Sequence, residues 1–361
     1  MRDIDSLAKL REGINGIDSE ILALLSQRAE LALKLGRIKA EAGTPVYSAE
    51  RERAVLGRLA KLNRGPFPAA GLSAVFTEII SACRELQASL SVAYLGPEGT
   101  FTQLASLAHF GSSANFLSQP SITQVFAEVE KGNCCFGVVP VENSTEGSVS
   151  DTMDLLVTSE LMICGEILQQ ISLDLLSRAR RISSIKKLYS HSQALAQCRG
   201  WIENNLPHAR VVEMESTAQA AKAAGEQPQT GALASSWAGR LYGLATLAGN
   251  IQDNACNITR FLVVGKSCPS PSGVDKTSLF FSVPDEPGVL KRMLEPFSRR
   301  RINLTKIESR PVKTRAWQYL FFLDLEGHVK EKQVSSALKQ LSRGCSYLKV
   351  LGSYPRAAAK S

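Results

Sequence analysis

Residues 7–38, LAKLREGINGIDSEILALLSQRAELALKLGRI, decide the fold of the amino-terminal part of the chain. Apolar side chains recur there at alternating intervals of three and four residues, which is the spacing of one face of an α-helix. They are Leu7, Leu10, Ile14, Ile17, Ile21, Leu24, Leu31, Leu35 and Ile38. The pattern predicts one long amphipathic helix.

Arg28 lies on this apolar stripe, where an apolar residue is expected. Lys39 follows on the same face, about 20° away around the helix at roughly 100° per residue. A buried cation needs a well-placed anion, because an isolated buried charge is strongly destabilising. The two cations predict either a pocket for a small anion or a structural salt bridge to a neighbouring helix.

Two further helices are predicted between Pro45 and Gln87. Ser48 is placed to cap the first of them, and Glu52 lies on its inward face. The apolar stripe of the other helix runs on to Cys83 and Gln87, so polar groups again occupy core positions. A first helix of roughly 35 residues would extend past these shorter partners, so we expect a dimer of intertwined helices.

This arrangement resembles the all-helical chorismate mutase family over residues 1 to about 90. The resemblance rests on residue type and spacing at Arg11, Arg28, Lys39, Arg51, Glu52 and Gln87. The family rearranges chorismate to prephenate, an intramolecular pericyclic reaction. A catalyst for it needs no nucleophile; it orients the substrate and stabilises developing charge.

The resemblance implies a role for each matching position. Arg28, with Arg11 of the partner subunit, would hold the two substrate carboxylates. Lys39 and Gln87 would donate to the ether oxygen, and Glu52 would accept from the ring hydroxyl. Three more substrate-binding positions are implied: Arg51, Ser48, which stands where the family often has an acidic residue, and Cys83, which stands where it often has a serine.

The length of the chain, 361 residues, predicts two or three domains. The sequence also indicates that the chain is not a membrane-spanning, secreted or metal-binding protein. No apolar run approaches the roughly 20 residues of a membrane span, and the charged start predicts no signal peptide, so we expect a cytoplasmic protein. The eight cysteines lack paired spacings and are expected to be reduced, and the four isolated histidines predict no metal site and no cofactor.

The formal charge of +8 raises the question of nucleic-acid binding. The clusters of Lys and Arg are short, and binding of dicarboxylate metabolites accounts for the same charge. We therefore expect no nucleic-acid partner.

From Ser91 onward, short buried strands alternate with helices, which predicts open α/β sheets with ligands bound beyond the carboxyl ends of the strands. The turn Gly96–Thr102 and the polar loop Glu142–Val149 both follow such strands and lead into helices. Backbone N–H groups at these helix starts are suited to binding an anion.

This region resembles prephenate dehydratase over residues 91 to 267. Four separated motifs carry the resemblance: YLGPEGTF at 94–101, VPVENS at 139–144, YSHSQ at 189–193 and TRF at 259–261. The family fold has two α/β subdomains with the site in the cleft between them, similar to solute-binding proteins. Its reaction removes water and CO₂ together from prephenate and forms an aromatic ring.

By family position, Thr259 is expected at the leaving hydroxyl, which the protein must protonate or strongly hydrogen-bond. Five residues are expected to bind and orient the substrate: Asn143, Ser144, Gln193, Ser216 and Thr217. Asn143 and Ser144 could instead cap the following helix. Arg260 is expected to bind a substrate carboxylate, with an internal ion pair as the alternative. His191 is expected to be structural, with the catalytic acid as the alternative.

After a Pro- and Ser-rich linker at 267–273, residues 276–355 read strand, helix, strand, strand, helix, strand, the order of a ferredoxin-like sandwich. Two segments, EPGVL at 286–290 and ESRP at 308–311, resemble the amino-acid-sensing ACT domain. The resemblance implies a phenylalanine site at a subunit interface, formed by Gly288, Val289, Leu290, Glu308, Ser309, Arg310 and Pro311. Trp317 is expected to report binding through its fluorescence.

Together these resemblances predict a bifunctional enzyme of phenylalanine biosynthesis with feedback inhibition by phenylalanine. Its expected domains are an all-α mutase at 1–90, a two-subdomain α/β dehydratase at 91–267 and an α+β ACT domain at 276–355. The expected assembly is a homodimer or a higher homo-oligomer. Two alternatives remain open at this point: an arogenate-using dehydratase and a non-catalytic ligand sensor.

Overall fold

The computed structural model describes residues 2–254, 256–284, 286–311 and 319–357 of the chain. The chain forms two compact units. The first is Met1–Leu90 with Phe110–Asn115, and the second is Ser91–His109 with Phe116–Ser361. Among the described residues, no helix combines the length and the apolar character needed to cross a membrane.

The first unit contains three helices, as predicted: α1 (Arg2–Glu41), α2 (Ala49–Leu62) and α3 (Ala69–Glu85). The predicted cap of α2 is confirmed, because the Ser48 hydroxyl accepts a hydrogen bond from the Arg51 backbone N–H at 3.2 Å. Ile80 and Cys83 on α3 are buried.

The apolar stripe of α1 is exposed along its whole length within one chain. Leu10 and Leu31 are each 65% exposed, and Ile38 is 62% exposed. Contiguous apolar surface of this extent is typical of a protein–protein interface rather than of a free surface.

The second unit begins with an α/β region whose elements alternate as the sequence predicts. In chain order they are β1 (Ser91–Leu95), α4 (Phe101–Phe110), β2 (Asn115–Gln119), α5 (Ile122–Lys131), β3 (Phe136–Asn143), β4 (Gly147–Ser148), α6 (Ser150–Thr158), β5 (Met162–Gln170), β6 (Asp174–Ser177), β7 (Lys187–Ser190), α7 (Ser192–Gln197), α8 (Arg199–Asn205), β8 (Arg210–Glu213), α9 (Thr217–Glu226), β9 (Thr230–Ala234), α10 (Ser236–Leu241), β10 (Ala245–Ala248) and β11 (Ile258–Gly265).

The strands of this region form two sheets, which confirms the predicted pair of α/β subdomains. One has the order β2-β1-β3-β11-β5, with β4 paired to β3, and the other has the order β10-β6-β9-β7-β8. The chain passes between the sheets twice, and the two crossings hydrogen-bond to each other. Ile171 N–H donates to the Asn257 carbonyl at 2.8 Å, and Ile251 N–H donates to the Leu173 carbonyl at 2.9 Å.

The carboxyl-terminal region confirms the predicted ferredoxin-like order. Its elements are β12 (Asp275–Ser282), α11 (Val289–Arg299), β13 (Leu304–Pro311), β14 (Tyr319–Glu326), α12 (Lys332–Ser342) and β15 (Tyr347–Pro355). They form an antiparallel sheet of order β13-β14-β12-β15. Phe281 packs toward α11 and α12 on one face of this sheet, and Phe280 joins the core of the first α/β sheet on the other.

Strand β15 lies close against β5 of the first α/β sheet. Gly352 makes this approach possible, because a Cβ atom there would lie 2.9 Å from the Ile163 backbone nitrogen and closer still to its carbonyl oxygen. The ferredoxin-like sheet is therefore packed directly against the α/β region, and both belong to the same compact unit.

Candidate active sites

In the helical unit, Glu52 lies at the centre of a cluster of cations. Burial raises the pKa of its carboxyl group, while Arg84, Lys39 and Arg28 act in the opposite direction through their positive charges. Arg84 donates to this carboxylate at 2.6 Å, and the positive charges of Lys39 and Arg28 act on it without forming a salt bridge. The structure therefore brings together three of the residues predicted for the mutase site.

Neither Arg28 nor Lys39 forms a salt bridge with a carboxylate in the described part of the chain. The Arg28 guanidinium lies 3.5 Å from the Ile79 carbonyl, and the Lys39 ammonium donates to the Val46 carbonyl at 2.9 Å. Their charges are thus matched only by backbone dipoles and by the nearby Glu52. This arrangement favours an anion pocket over the structural salt bridge.

Gln87 reaches this cluster from beyond the end of α3. Its Nε2 donates to the Cys83 carbonyl at 3.1 Å, and its Oε1 is buried without a hydrogen-bond partner among the described residues. Gly36 on α1 makes room for it, because a Cβ atom at that position would lie 2.8 Å from Gln87 Cγ. Gly36 was not singled out from the sequence, although it lies one turn before Lys39.

Arg84 is a member of the cluster that the sequence analysis missed. Its Nη1 donates to Glu52 Oε1 at 2.6 Å, and its Nη2 donates to the Phe110 carbonyl. The guanidinium also lies 5.4 Å from the centre of the Tyr47 ring. Its position four residues after the buried Ile80 was the available signal, because residues four apart share a helix face.

Arg11 and Arg51, two other predicted residues, are exposed in this chain. Seventeen positions separate Arg11 from Arg28, which places it roughly 25 Å further along the same helix. The two arginines of one chain therefore cannot bind one small ligand together. Ser48 and Cys83 have structural roles in their own helices. The Ser48 hydroxyl caps α2, and the Cys83 side chain is buried on α3.

In the second unit, a cavity of about 780 Å³ lies between the two α/β sheets. Five of the predicted residues line it: Asn143, Gln193, Ser216, Thr217 and Thr259. Ser144 is not among the lining residues. Its hydroxyl instead donates to the Cys256 carbonyl and accepts from the Ile258 N–H, both at 3.0 Å. Neither Asn143 nor Ser144 caps α6, whose N-cap is Val149.

The Thr259 hydroxyl is oriented by Asn143. Asn143 Nδ2 donates to Thr259 Oγ1 at 2.8 Å and to Asn257 Oδ1 at 2.9 Å, while its Oδ1 accepts from the Thr145 N–H at 2.9 Å. Because the threonine oxygen accepts from an amide, its own O–H proton is free to donate toward the cavity. That is the geometry needed to stabilise a departing hydroxide.

Arg260 is placed on the opposite side of β11 from the cavity. Successive residues of a strand face opposite sides, so Thr259 and Phe261 line the cavity and Arg260 does not. Its guanidinium donates to Glu166 at 2.8 Å, to Asp324 at 2.5 Å and to the Tyr354 hydroxyl at 2.9 Å. The internal ion pair, rather than the substrate carboxylate, is the role this placement favours.

Burial alone would lower the pKa of the Arg260 guanidinium, but Tyr354, Asp324 and Glu166 outweigh it and raise that pKa. Burial likewise opposes ionisation of Glu166, yet Arg260 and Lys276 hold the pKa of that carboxyl below its usual value. Both shifts favour the ionised forms of Arg260 and Glu166.

The cavity can bind carboxylates without a fixed cation. None of the described residues that line it is Lys or Arg. The first residues of α4 and α5, Phe101 and Ile122, do line it, as does Thr217 at the start of α9. Helix N-termini present free N–H groups and a partial positive charge, which suits an anion.

His191 and Gln193 mark the start of α7 at the cavity wall. His191 Nδ1 accepts from the Gln193 N–H at 3.3 Å, so His191 caps the helix and, when neutral, carries its proton on Nε2. The Gln193 side chain donates to Glu146 on the loop after β3. This last contact joins the two sides of the cavity.

The predicted effector residues occupy two segments of the ferredoxin-like region, the start of α11 and the end of β13. Gly288 has φ +74° and forms the N-cap of α11, with open space around its Cα atom. In β13, Ser309 and Pro311 are exposed, whereas Glu308 and Arg310 contact the α/β region. Trp317 lies outside the described residues.

Comparison with known proteins matches three successive families along the chain: chorismate mutase type II at residues 10–88, prephenate dehydratase at 92–269 and the ACT domain at 277–343. A bifunctional chorismate mutase/prephenate dehydratase of Aquifex aeolicus is 49% identical over 358 residues, which are 98% of this chain and 99% of that protein. The chain belongs to this bifunctional family. The corresponding protein of Pseudomonas aeruginosa is 42% identical over 99% of this chain and 100% of its own length.

Two solved structures are similar to about three quarters of the chain. Prephenate dehydratase of Arthrobacter aurescens, in complex with L-phenylalanine, is 36% identical and superposes with a TM-score of 0.69 over 74% of this chain and 90% of its own. A protein described as a quorum-quenching acylase, GqqA, is 29% identical with a TM-score of 0.68 over 74% of this chain and 98% of its own. The chain thus combines chorismate mutase and prephenate dehydratase with an ACT regulatory domain, as the sequence analysis predicted.

Proposed function

We propose that the cation cluster around Glu52 is the chorismate mutase site. Arg28 holds a substrate carboxylate, Lys39 and Gln87 donate to the ether oxygen as it gains negative charge, and Glu52 accepts from the ring hydroxyl. Because the rearrangement is intramolecular, holding the substrate compactly and stabilising this charge are sufficient for catalysis. The supporting observation is the set of cations beside the Glu52 carboxylate: Arg84 pairs with Glu52 itself, and neither Arg28 nor Lys39 forms a salt bridge among the described residues.

The mutase site is completed by a second copy of the chain. Arg11 lies too far along α1 to reach the Arg28 site of its own chain, and the exposed apolar stripe of α1 needs a partner. An antiparallel second α1 would cover that stripe and bring Arg11 of the partner subunit to the pocket. The proposed assembly is therefore at least a homodimer.

The cavity around Thr259 is the proposed dehydratase site. Prephenate loses its ring carboxylate as CO₂, and the freed electron pair enters the ring and expels the hydroxyl group from the opposite ring carbon. Thr259 donates its hydroxyl proton to this leaving group as a hydrogen bond, and Asn143 fixes the direction of the donor. Gln193, Ser216 and Thr217 orient the substrate.

L-Phenylalanine is the proposed effector, bound at the ACT segments that contain Gly288, at the start of α11, and Ser309, on β13. The dehydratase of Arthrobacter aurescens was solved in complex with this amino acid. Gly288 leaves its surroundings open, and the N–H groups at the start of α11 suit a carboxylate. Binding that favours a less active cavity would inhibit the dehydratase.

The two alternatives to this function are a sensor without turnover and an arogenate dehydratase. Thr259 and Arg28 are both present, which disfavours the sensor, and the reported relatives are named for prephenate. Parallel assays of the purified chain with prephenate and with arogenate separate the substrates. A higher kcat/KM for arogenate would overturn the assignment of the dehydratase substrate.

We also propose that the protein works in the cytoplasm, where chorismate is consumed by biosynthesis. All eight cysteines are free, as a reducing compartment requires. Fractionation of the source cells with an antibody against the protein tests this, and recovery in an extracellular fraction would contradict it.

A further inference from the structure

The loop that carries Asn143 is a β-hairpin with contacts at both of its ends. Strands β3 and β4 pair through Glu142 with Ser148 and through Asn143 with Gly147, so the hairpin spans residues 142–148. Four of its residues line the dehydratase cavity: Asn143, Glu146, Gly147 and Ser148. Its position fixes the side chain that orients Thr259.

The base of the hairpin is held by the ACT domain. Lys306 Nζ lies 3.0 Å from Glu142 Oε2 and donates to Ser148 Oγ at 2.9 Å. Ser148 in turn donates to Glu308, which is also 3.2 Å from Lys306. Three polar contacts thus tie β13 to the two residues that close the hairpin.

The tip of the hairpin contacts the other α/β subdomain. Glu146 accepts from Gln193 and, at 3.3 Å, from Gln197 Nε2, which also donates to Thr145 Oγ1 at 3.1 Å. Both glutamines lie on α7, across the cavity. The hairpin therefore links β13 of the ACT domain to the opposite wall of the dehydratase cavity.

Successive residues of β13 face opposite sides of the strand. Lys306, Glu308 and Arg310 are partly buried toward the α/β region, whereas Ile307 and Ser309 between them are exposed. Arg310 Nη2 donates to Asp154 on α6, the helix that follows the hairpin, at 3.2 Å. Any sliding of β13 moves both sets of residues together, because they share one rigid backbone.

We propose that Lys306 and Glu308 are positioning residues, which hold the hairpin 142–148 in its catalytic place and, with Arg310 anchoring β13 to α6, transmit effector binding from β13 to the dehydratase cavity. This proposal rests on the proposed regulation by L-phenylalanine for its second part only. It places Glu308 against the hairpin rather than in the effector site. It also gives the hairpin a role in closing the cavity.

The test uses the full chain with Lys306→Met and with the conservative variant Lys306→Arg. We expect Lys306→Met to lower dehydratase kcat by about tenfold, with less change in KM, because removal of a positioning group affects the transition state more than ground-state binding. L-Phenylalanine should still bind with nearly unchanged affinity by calorimetry, but its maximal inhibition should be at least halved. Lys306→Arg keeps a cation between Glu142 and Glu308, so it should retain much of both.

The matched control is Arg299→Met, which breaks an exposed ion pair with Glu295 within the ACT domain and touches no dehydratase residue in the described structure. It should leave kcat and inhibition unchanged. Normal kcat and full inhibition in Lys306→Met would overturn the proposal, as would a Lys306→Arg variant no better than Lys306→Met. If the wild-type chain neither binds nor responds to L-phenylalanine, the effector assignment fails instead, and kcat across the series still decides the positioning role.

Discussion

Thr259 and Arg260 are adjacent on β11, and their side chains lie on opposite sides of the strand. Thr259 Oγ1 accepts from Asn143 at the cavity wall, whereas Arg260 donates to Asp324 of the ACT domain. One peptide bond therefore separates the proposed catalytic hydroxyl from a buried ionic network at a domain boundary. The two residues should respond to substitution in different ways.

Thr259→Val keeps the shape of the side chain and removes the hydroxyl. If that hydroxyl stabilises the leaving hydroxide, dehydratase kcat should fall by roughly a hundredfold or more, while prephenate binding changes less. Thr246→Val, at an exposed position on β10, is the matched control and should be silent. Near-normal turnover in Thr259→Val would show that the proton donor lies elsewhere, and His191 would be tested next.

Arg260→Met should act on stability before it acts on binding. It leaves Glu166 and Asp324 buried without their shared cation, which costs about 3–5 kcal/mol for a broken buried ion pair. The thermal unfolding temperature should fall by roughly 6 °C or more. An unchanged unfolding temperature with a large rise in KM for prephenate would instead support the substrate-carboxylate role.

The same network makes a prediction about pH. The pKa of Glu166 is lower in the folded chain than its ordinary value, so its ionised form stabilises the fold at pH values above that ordinary value. This contribution should be lost as the pH falls through the folded-state pKa. The difference in unfolding temperature between wild type and Glu166→Gln should therefore be large at neutral pH and shrink in acid; an equal difference at both would contradict it.

Arg28→Ala should separate the two activities. Loss of a charge-assisted contact to a substrate carboxylate should lower mutase kcat/KM by about a hundredfold or more. Dehydratase activity on supplied prephenate should persist. The exposed Arg58→Ala on α2 is the control, and a variant at Arg28 with normal mutase rates would restore the structural interpretation of that arginine.

Arg84 should control the pH dependence of the mutase. Burial raises the pKa of Glu52, and Arg84 is the strongest group opposing that shift. Arg84→Met should raise the pKa of Glu52 further, so that the carboxylate needed to accept from the ring hydroxyl is lost at a higher pH. The acid limb of the mutase pH–rate profile should move upward, with smaller losses at high pH. An unmoved acid limb would limit Arg84 to a structural role.

Local sequence patterns predicted most of the fold, because helix starts and apolar helix faces depend on residues that are close together in the chain. The spacing of apolar residues predicted α1, and Ser48 predicted the start of α2. The order of strands and helices along the ACT domain also followed from local periodicity. These features depend on residues that are neighbours in the sequence, so the sequence alone is enough to predict them.

The side chains missed by the sequence analysis have partners far away in the chain. Arg84 bonds to the carbonyl of Phe110, and Lys306 reaches Glu142. No periodicity shows such pairings. The placement of Arg260 was predictable, because its neighbour Thr259 was assigned to the cavity and adjacent strand residues face opposite sides. The resemblance to prephenate dehydratase favoured a substrate-binding role for Arg260, whereas the alternation of strand residues favours the internal ion pair.

The most direct test of the account is to incubate the purified chain with chorismate alone and follow the products by chromatography. Two working sites in one chain predict that prephenate forms first and phenylpyruvate follows. Arg28→Ala should then form neither at an appreciable rate, and Thr259→Val should accumulate prephenate. Chorismate that remains unchanged, or prephenate that accumulates in the wild-type chain without phenylpyruvate, would contradict the account.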